Sequence, residues 1–251
     1  MGYDELLDVA EDAARNAGAL LRKEVEELRL VKFEDRRDVK LKADFESETL
    51  IRLSLERSTG LPIIGEEEGG DASLYKRDEL YWVIDPLDGT QNYLREIPQT
   101  CVSIGLMRGA NAEAGVVYDF NRDEIFTATQ DDPLRIDGRK IEPCWEKVPE
   151  RAILAMGFAA EGMYSKGNLT DFITRTQRFK KTRQIGSAAL CLAYVAAGRF
   201  DAYCEEGIKL WDIAAGVALV ESVGGLVKLQ PISDLPLTYS IWAAADECLI
   251  F

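Results

Sequence analysis

Tyr81-Trp82-Val83-Ile84-Asp85-Pro86-Leu87-Asp88-Gly89-Thr90 is an apolar, β-branched run that ends in two aspartates three positions apart, with a glycine and a threonine directly behind. Short, apolar and bounded by turn residues, it reads as a buried strand. Pro86 cannot donate to a ladder, so the strand is expected to stop there. Both carboxylates then stand at the C-terminal lip of a strand, where open α/β sheets place ligands. Gln91-Asn92-Tyr93-Leu94 continues as the first turn of a helix, whose free N–H groups suit an anion. Carboxylates for a hard cation beside amides for a phosphate point to metal-assisted phosphate chemistry. The plainer alternative is an Asp-rich turn with Asp88 as a helix N-cap.

Moving outward, further acids fall at the ends of expected elements. Gly65-Glu66-Glu67-Glu68-Gly69-Gly70 follows a short strand at 61–64, and three adjacent acids repel unless a positive group sits among them. Asp44 lies between a strand at 38–44 and a helix at 45–57, where its local reading is an N-cap. Asp212 opens a small-residue helix over 213–223 that Gly224-Gly225 closes. Glu66, Asp85, Asp88 and Asp212 together could serve two hard cations sharing carboxylates.

The remaining pattern is α+β. A helix is predicted over 4–28 from Leu6, Ala10, Ala13, Ala17, Leu20 and Leu21. Strands are predicted at 100–107, 114–120 and 124–129, with a hairpin turn at Asp137-Gly138. The segment 143–149 is the expected boundary between an N-terminal unit, 1–148, and a C-terminal unit, 149–251. The second unit reads as strands at 152–156, 182–185, 200–204, 226–229 and 240–244, with helices at 169–179 and 188–197.

Composition narrows the chemistry. A net charge of −14 over 251 residues argues against general nucleic-acid binding and suits a protein that holds cations. No apolar run approaches membrane length. The five cysteines form no close pair, which suits reduced thiols in the cytoplasm. The chain has no histidine. That removes Ser-His-Asp hydrolysis, phosphohistidine intermediates and His-rich metal sites. A bound metal must be held largely by oxygen, so Mg²⁺, Mn²⁺ or Ca²⁺ is favoured.

Four stretches carry a resemblance. They are Gly65-Glu66-Glu67, Trp82 to Asn92, Gly186-Ser187-Ala188-Ala189, and Leu210-Trp211-Asp212-Ile213-Ala214-Ala215-Gly216. In order and spacing the sequence resembles the inositol monophosphatase family of Mg²⁺-dependent, Li⁺-sensitive sugar phosphatases, over nearly the whole chain. The resemblance implies a layered αβαβα sandwich and two to three Mg²⁺ ions, with Mn²⁺ as a substitute. Glu66, Asp85 and the Leu87 carbonyl match the ligands of a first metal. Asp85, Asp88 and Asp212 match those of a second, and Glu66 also matches a weaker third site. Gly89 and Thr90 match the phosphate cradle. Thr90 and Asp44 match the pair that orients and deprotonates the attacking water, with Glu66 beside them, which raises Asp44 above its local N-cap reading. Gly186 and Ser187 match a substrate-facing turn. Asp88 and Glu205 match positions that meet substrate hydroxyls.

The resemblance further implies a small phosphorylated metabolite as substrate and a homodimer; the charge, the lack of a long apolar run and the unpaired cysteines add the expectation of a cytoplasmic protein with neither a nucleic-acid nor a membrane partner. Inositol phosphate leads. A fructose 1,6-bisphosphatase or dual-activity enzyme, and a non-catalytic cation or phosphate binder, are the alternatives. Two departures stand out. The chain stops at Phe251, where the family continues into a terminal helix, so a stub is expected there. Lys209 stands where inositol-preferring members carry an uncharged or weakly basic residue, and a cation near Glu205 could hold a second phosphate; a solvated lysine paired with Glu205 or Glu206 is the alternative. Haloacid-dehalogenase-like and cysteine phosphatases are excluded by the Asp spacing and by the lack of a C-x5-R stretch.

Overall fold

A computed structural model describes residues 1–23, 25–35, 39–158 and 166–250. Glu24 within the predicted first helix, Asp38 at the predicted strand start, and the loop beyond Phe158 lie outside them.

The chain opens with α1 (Tyr3–Lys23) and α2 (Val25–Leu28), then β1 (Val31–Glu34), β2 (Val39–Leu41) and α3 (Lys42–Thr59). There follow β3 (Ile63–Gly65), β4 (Leu80–Asp88), the short α4 (Thr90–Leu94), β5 (Cys101–Arg108), β6 (Asn111–Asp119), β7 (Glu124–Thr129), β8 (Arg135–Ile136) and β9 (Arg139–Lys140). The second half runs β10 (Ile153–Met156), α5 (Lys166–Thr176), β11 (Lys181–Arg183), α6 (Ala188–Ala196), β12 (Ala202–Lys209), α7 (Leu210–Ser222), β13 (Leu226–Pro231) and β14 (Thr238–Ala244).

Strands β3 to β9 form one seven-stranded sheet in chain order, and a five-stranded sheet has the order β11-β10-β12-β14-β13. The first is antiparallel except where β3 joins β4. One core lies between α1, α3 and the outer face of the large sheet, around Leu21, Ile51, Trp82, Ile84 and Val116. A second lies where α6 and α7 are pressed between the two sheets, joining Val83, Val117 and Phe126 to Tyr203, Ile241 and Ala243. The third holds α5 against the far face of the small sheet through Phe172, Phe179 and Ala244. The order helix, sheet, helix, sheet, helix is the αβαβα sandwich, in the α+β class. Among the described residues no helix is long and apolar enough to cross a membrane.

Backbone contact sets the spacing of the layers. A Cβ on Gly18 of α1 would lie 2.5 Å from the Tyr118 ring on β6, and one on Gly115 would lie 2.3 Å from the Ala215 carbonyl oxygen of α7. Only glycine allows these elements to approach so closely.

Several expected boundaries move. β4 does not stop at Pro86. Pairing with β5 resumes at Asp88↔Cys101 after an irregularity between Asp85 and Asp88. Pro86 sits in that bulge, where no ladder hydrogen bond is required of it. α3 begins at Lys42, three residues before the expected start, and Asp44 is inside its first turn. Its carboxylate accepts from the Leu41 backbone N–H at 2.6 Å, so Asp44 reaches back to the N-cap residue instead of being it. β12 runs on to Lys209, past the predicted end at Cys204, and bulges between Glu206 and Ile208. Beyond β14 a single 3-10 turn covers Glu247–Leu249, and the Leu249 carbonyl accepts from Trp242 Nε1 at 2.8 Å.

Candidate active site

The ends of β3, β4, β10 and β12 and the starts of α4, α6 and α7 open on one cavity of about 230 Å³. Glu66, Asp85, Leu87, Asp88, Gly89, Thr90, Gly186, Ser187, Glu205 and Asp212 all line it. Asp44 stands behind Thr90. Lys209 is not among the lining residues; its Nζ donates to Thr238 Oγ1 at 3.1 Å.

Carboxylate oxygens of Glu66, Asp85 and Asp212 lie within 4.8 Å of one another. Asp85 comes from the β4 bulge. Its Oδ1 accepts from Leu87 N–H at 2.9 Å, which turns the following carbonyl and Asp88 along the cavity wall. Asp212 sits in the first turn of α7 and accepts from the Lys209 N–H at 3.1 Å. Asp44 and Asp212 are therefore held alike, each by the N–H of the residue that precedes its helix. Burial is the first cause that lifts all three clustered acids well above the ordinary carboxylate range, and repulsion from a neighbouring acid is the next: Asp212 for Glu66, Glu66 for Asp85 and Asp88 for Asp212. No Lys or Arg lines the cavity among the described residues. Three oxygen-donating acids without a protein cation suit a hard divalent ion.

Asp88 is tied on its other side. Its Oδ2 accepts from Ser187 Oγ and from Ala189 N–H, both at 2.7 Å, with Cys101 Sγ at 3.8 Å. Burial pushes this carboxyl up to about 6 despite those bonds. Ser187 is thus turned inward to Asp88 and caps α6 through Leu190 N–H at 3.3 Å. Thr90 Oγ1 donates to Asp44 Oδ1 at 2.9 Å and approaches the Leu87 carbonyl at 3.2 Å. Asp44 is 1% exposed, and burial pushes it up to about 7. Gly89 has φ 93°, and a Cβ there would meet the Gln99 carbonyl at 2.8 Å, so this turn requires glycine.

The triple-acid loop finds its positive groups. Lys40 Nζ meets Glu67 at 3.0 Å and Arg52 Nε meets Glu68 at 3.5 Å, while Glu66 joins the cluster. Beneath it lies Glu48, which sequence reading did not single out. Its carboxylate accepts from the N–H groups of Glu67 at 2.8 Å and Glu68 at 3.0 Å, and pairs with Arg52 Nε at 2.8 Å. Arg52 also donates to the Gly69 carbonyl at 2.7 Å. The signal was available: Asp44, Glu48, Ile51 and Leu55 form one stripe of α3, so Glu48 continues a buried face. Asn92, quoted in the motif without a role, donates to the carbonyls of Gln99 at 2.9 Å and Ile185 at 2.8 Å. It fastens the Asp88–Thr90 turn to the 185–186 turn. Tyr203 was also missed. Its hydroxyl donates to Glu205 Oε2 at 2.6 Å.

The profile of the inositol monophosphatase family matches residues 2–245. A Xylella fastidiosa protein named Nus factor SuhB is 38% identical over 228 residues, covering 89% of this chain and 82% of that one. An inositol-1-monophosphatase of Mesorhizobium japonicum is 34% identical over 235 residues, covering 91% and 86%. The solved inositol monophosphatase of Anabaena superposes with a TM-score of 0.81 at 34% identity, covering 97% of this chain and 91% of that one. Matched along almost its whole length by one profile and by relatives of this similarity, the chain belongs to the inositol monophosphatase family.

Proposed function

We propose that the protein is a Mg²⁺-dependent phosphomonoesterase that hydrolyses a small sugar or inositol phosphate with activated water. The observation that carries this reading is the convergence of Glu66, Asp85 and Asp212 within 4.8 Å, beside the Thr90–Asp44 pair. Glu66, Asp85, Asp88, Asp212 and the Leu87 carbonyl would hold the cations. Bound there, Mg²⁺ supplies Lewis acidity, which acidifies water and offsets charge on phosphoryl oxygens. Thr90 would take a proton from the attacking water as it gives its own to Asp44, staying neutral itself, and the buried Asp44 carboxyl at about 7 can accept that proton near neutrality. Gly89 and Thr90 line the cavity with amides that would receive the phosphoryl group, and the Leu41 N–H holds Asp44 in place as the proton acceptor. A covalent enzyme intermediate is not required, so the absence of histidine is no obstacle. The five free thiols fit a reducing cytoplasm. The homodimer expected of the family belongs to the same reading and is checked by light scattering.

Phosphate release across a panel of small phosphate esters tests the proposal. Activity is expected with added Mg²⁺ and lost with chelator; full activity in metal-free buffer refutes it. A second reading is favoured by the name of the Xylella relative, a Nus factor. In that reading the fold serves by binding a partner, and the acids take no part in catalysis. Asp85→Asn separates the two, since it would abolish catalysis and leave a binding role intact.

A further inference from the structure

The stretch from Thr174 to Ile185 carries Arg175, Arg178, Lys180, Lys181 and Arg183, and no Asp or Glu occurs between Asp171 and Asp201 in a chain with 44 acids against 30 bases. All five cations are exposed. They run from the last turn of α5 through β11, an edge strand of the five-stranded sheet whose three residues all face solvent. Lys180, Lys181 and Arg183 pair with no acid among the described residues, and Arg183 donates only to the Thr182 carbonyl at 2.9 Å. Lys40, Arg52, Arg122 and Arg199, by contrast, are each held in a salt bridge. β11 leads this charge to the cavity. It runs parallel to β10, with Ala155 beside Arg183. The residues that follow, Met156 and Gly157 on one strand and Gln184 and Gly186 on the other, line the cavity. Arg183 is thus one residue from the wall on its own strand and on its neighbour. Lys181 lies two residues back, about 7 Å along the strand.

Inside, the opposite sign prevails. Glu66, Asp85, Asp88, Glu205 and Asp212 line the cavity, and the whole chain carries a net charge of −14. A field of that sign opposes the approach of a phosphate ester, and the β11 edge reverses it locally, beside the mouth. We propose that the exposed edge formed by Lys180, Lys181 and Arg183 is the approach path for the anionic substrate: it gathers multiply charged small anions at the mouth of the cavity, without contacting the bound ester, and offsets the repulsion of an acidic protein. This rests on the phosphatase reading and adds how the substrate is drawn in. The attraction acts through solvent, so it carries a salt signature that a direct contact lacks. The Debye length is about 30 Å at 0.01 M and about 3 Å at 1 M, so the edge acts on a dianion at the mouth in the first case and is screened from it in the second.

The test measures kcat and KM for inositol 1-phosphate with Mg²⁺ at several salt concentrations. The double variant Lys181→Glu, Arg183→Glu should lose roughly tenfold or more in kcat/KM at about 0.01 M ionic strength and less than about twofold at 1 M, with kcat nearly unchanged. Arg139→Glu with Lys140→Glu makes the same change in net charge on β9, five strands from β4 in the large sheet. At strand spacing that is about 24 Å away, and the loss at low salt should be about threefold or less. Lys181→Arg with Arg183→Lys keeps both charges and should keep the wild-type salt dependence. An equal loss from the β9 variant assigns the effect to net charge and overturns the proposal. A loss that persists at 1 M salt makes Lys181 and Arg183 a direct contact or a structural support, which overturns it too, as does an unchanged kcat/KM at low salt. If the wild type hydrolyses no ester, the phosphatase reading fails instead. Calorimetry of inorganic phosphate binding in Mg²⁺ at low salt then decides the inference alone: weaker binding by the β11 variant supports it, and equal Kd values or no binding by the wild type sink it.

Discussion

Removing one acid from the cavity should make the metal-free protein more stable while destroying its affinity for cations. Asp85 is the residue to change, because Glu66 and Asp212 both offer oxygens within 4.8 Å of its own. Two unit charges that far apart repel by about 3.5 kcal/mol at an effective dielectric of 20. Sharing of protons among the three acids relieves much of this, so the net gain from Asp85→Asn is about 1–3 kcal/mol. The asparagine oxygen can still accept from Leu87 N–H, so the bulge survives. The gain also has a pH dependence of known sign. Burial raises the folded-state value of Asp85 above its ordinary 3.8. Its destabilising effect is therefore absent below about 4 and grows as pH rises toward the folded value. The assay is thermal melting in chelator and in excess Mg²⁺. In chelator at pH 8 the variant should melt roughly 2–10 °C above wild type. In Mg²⁺ the order should reverse, since only the wild type gains from binding. A variant that melts below wild type in chelator, or that keeps the full Mg²⁺ shift, refutes the reasoning.

Three further outcomes follow from the same geometry. Asp44→Asn should lower kcat by roughly 10²-fold or more through loss of the proton acceptor. Because burial lifts Asp44 from 3.8 to about 7, that carboxyl costs up to about 4 kcal/mol, incurred as pH rises through that window; the metal-free variant should show a flatter stability profile between pH 4 and 7 in denaturant titrations. Glu48→Gln keeps an acceptor but leaves Arg52 without its buried partner, at a cost of roughly 3 kcal/mol by urea unfolding, with weaker Mg²⁺ binding by calorimetry. Gly89→Ala forces a side chain into φ 93° and against the Gln99 carbonyl, so phosphate release should fall sharply and stability should drop by about 1–3 kcal/mol in the same unfolding assay.

The sequence exposed the parts of the site that depend on residue type at short range. Asp85, Asp88, Gly89 and Thr90 are adjacent in the chain, and their chemistry could be read without knowing the fold. Glu66 and Asp212 could be picked out as acids at the ends of expected elements, but their convergence on Asp85 rested on the constellation and the family resemblance, since nothing local says that a loop after β3 and the start of α7 meet. Glu48 escaped because a buried acid on a helix reads as a solvated charge until the loop it supports is placed over it. The bulge at Pro86 was hidden for a related reason: proline signals the end of a ladder, and only the pairing of Asp88 with Cys101 shows that the strand resumes. Glu205 and Glu206 masked the second half of β12, because a strand that borders a cavity loses the alternation on which strand reading depends.

Helix α7 lies against β4, β5, β6 and β7 on one side and against β12, β13 and β14 on the other. Its alanines touch the large sheet at Gly105 and Gly115, and Gly216 meets Leu192 of α6. Neither sheet has a dry inner face without it. If the small sheet came apart, α7 would leave with β12 and the large sheet would lose the cover over Val83, Val117 and Phe126. Melting should therefore be all-or-none, with calorimetric and van't Hoff enthalpies in agreement. The same coupling makes Asp212 an early casualty of any opening of the sheet interface. Cation affinity would then report on the integrity of the whole sandwich, and a bound ion would resist separation of its layers.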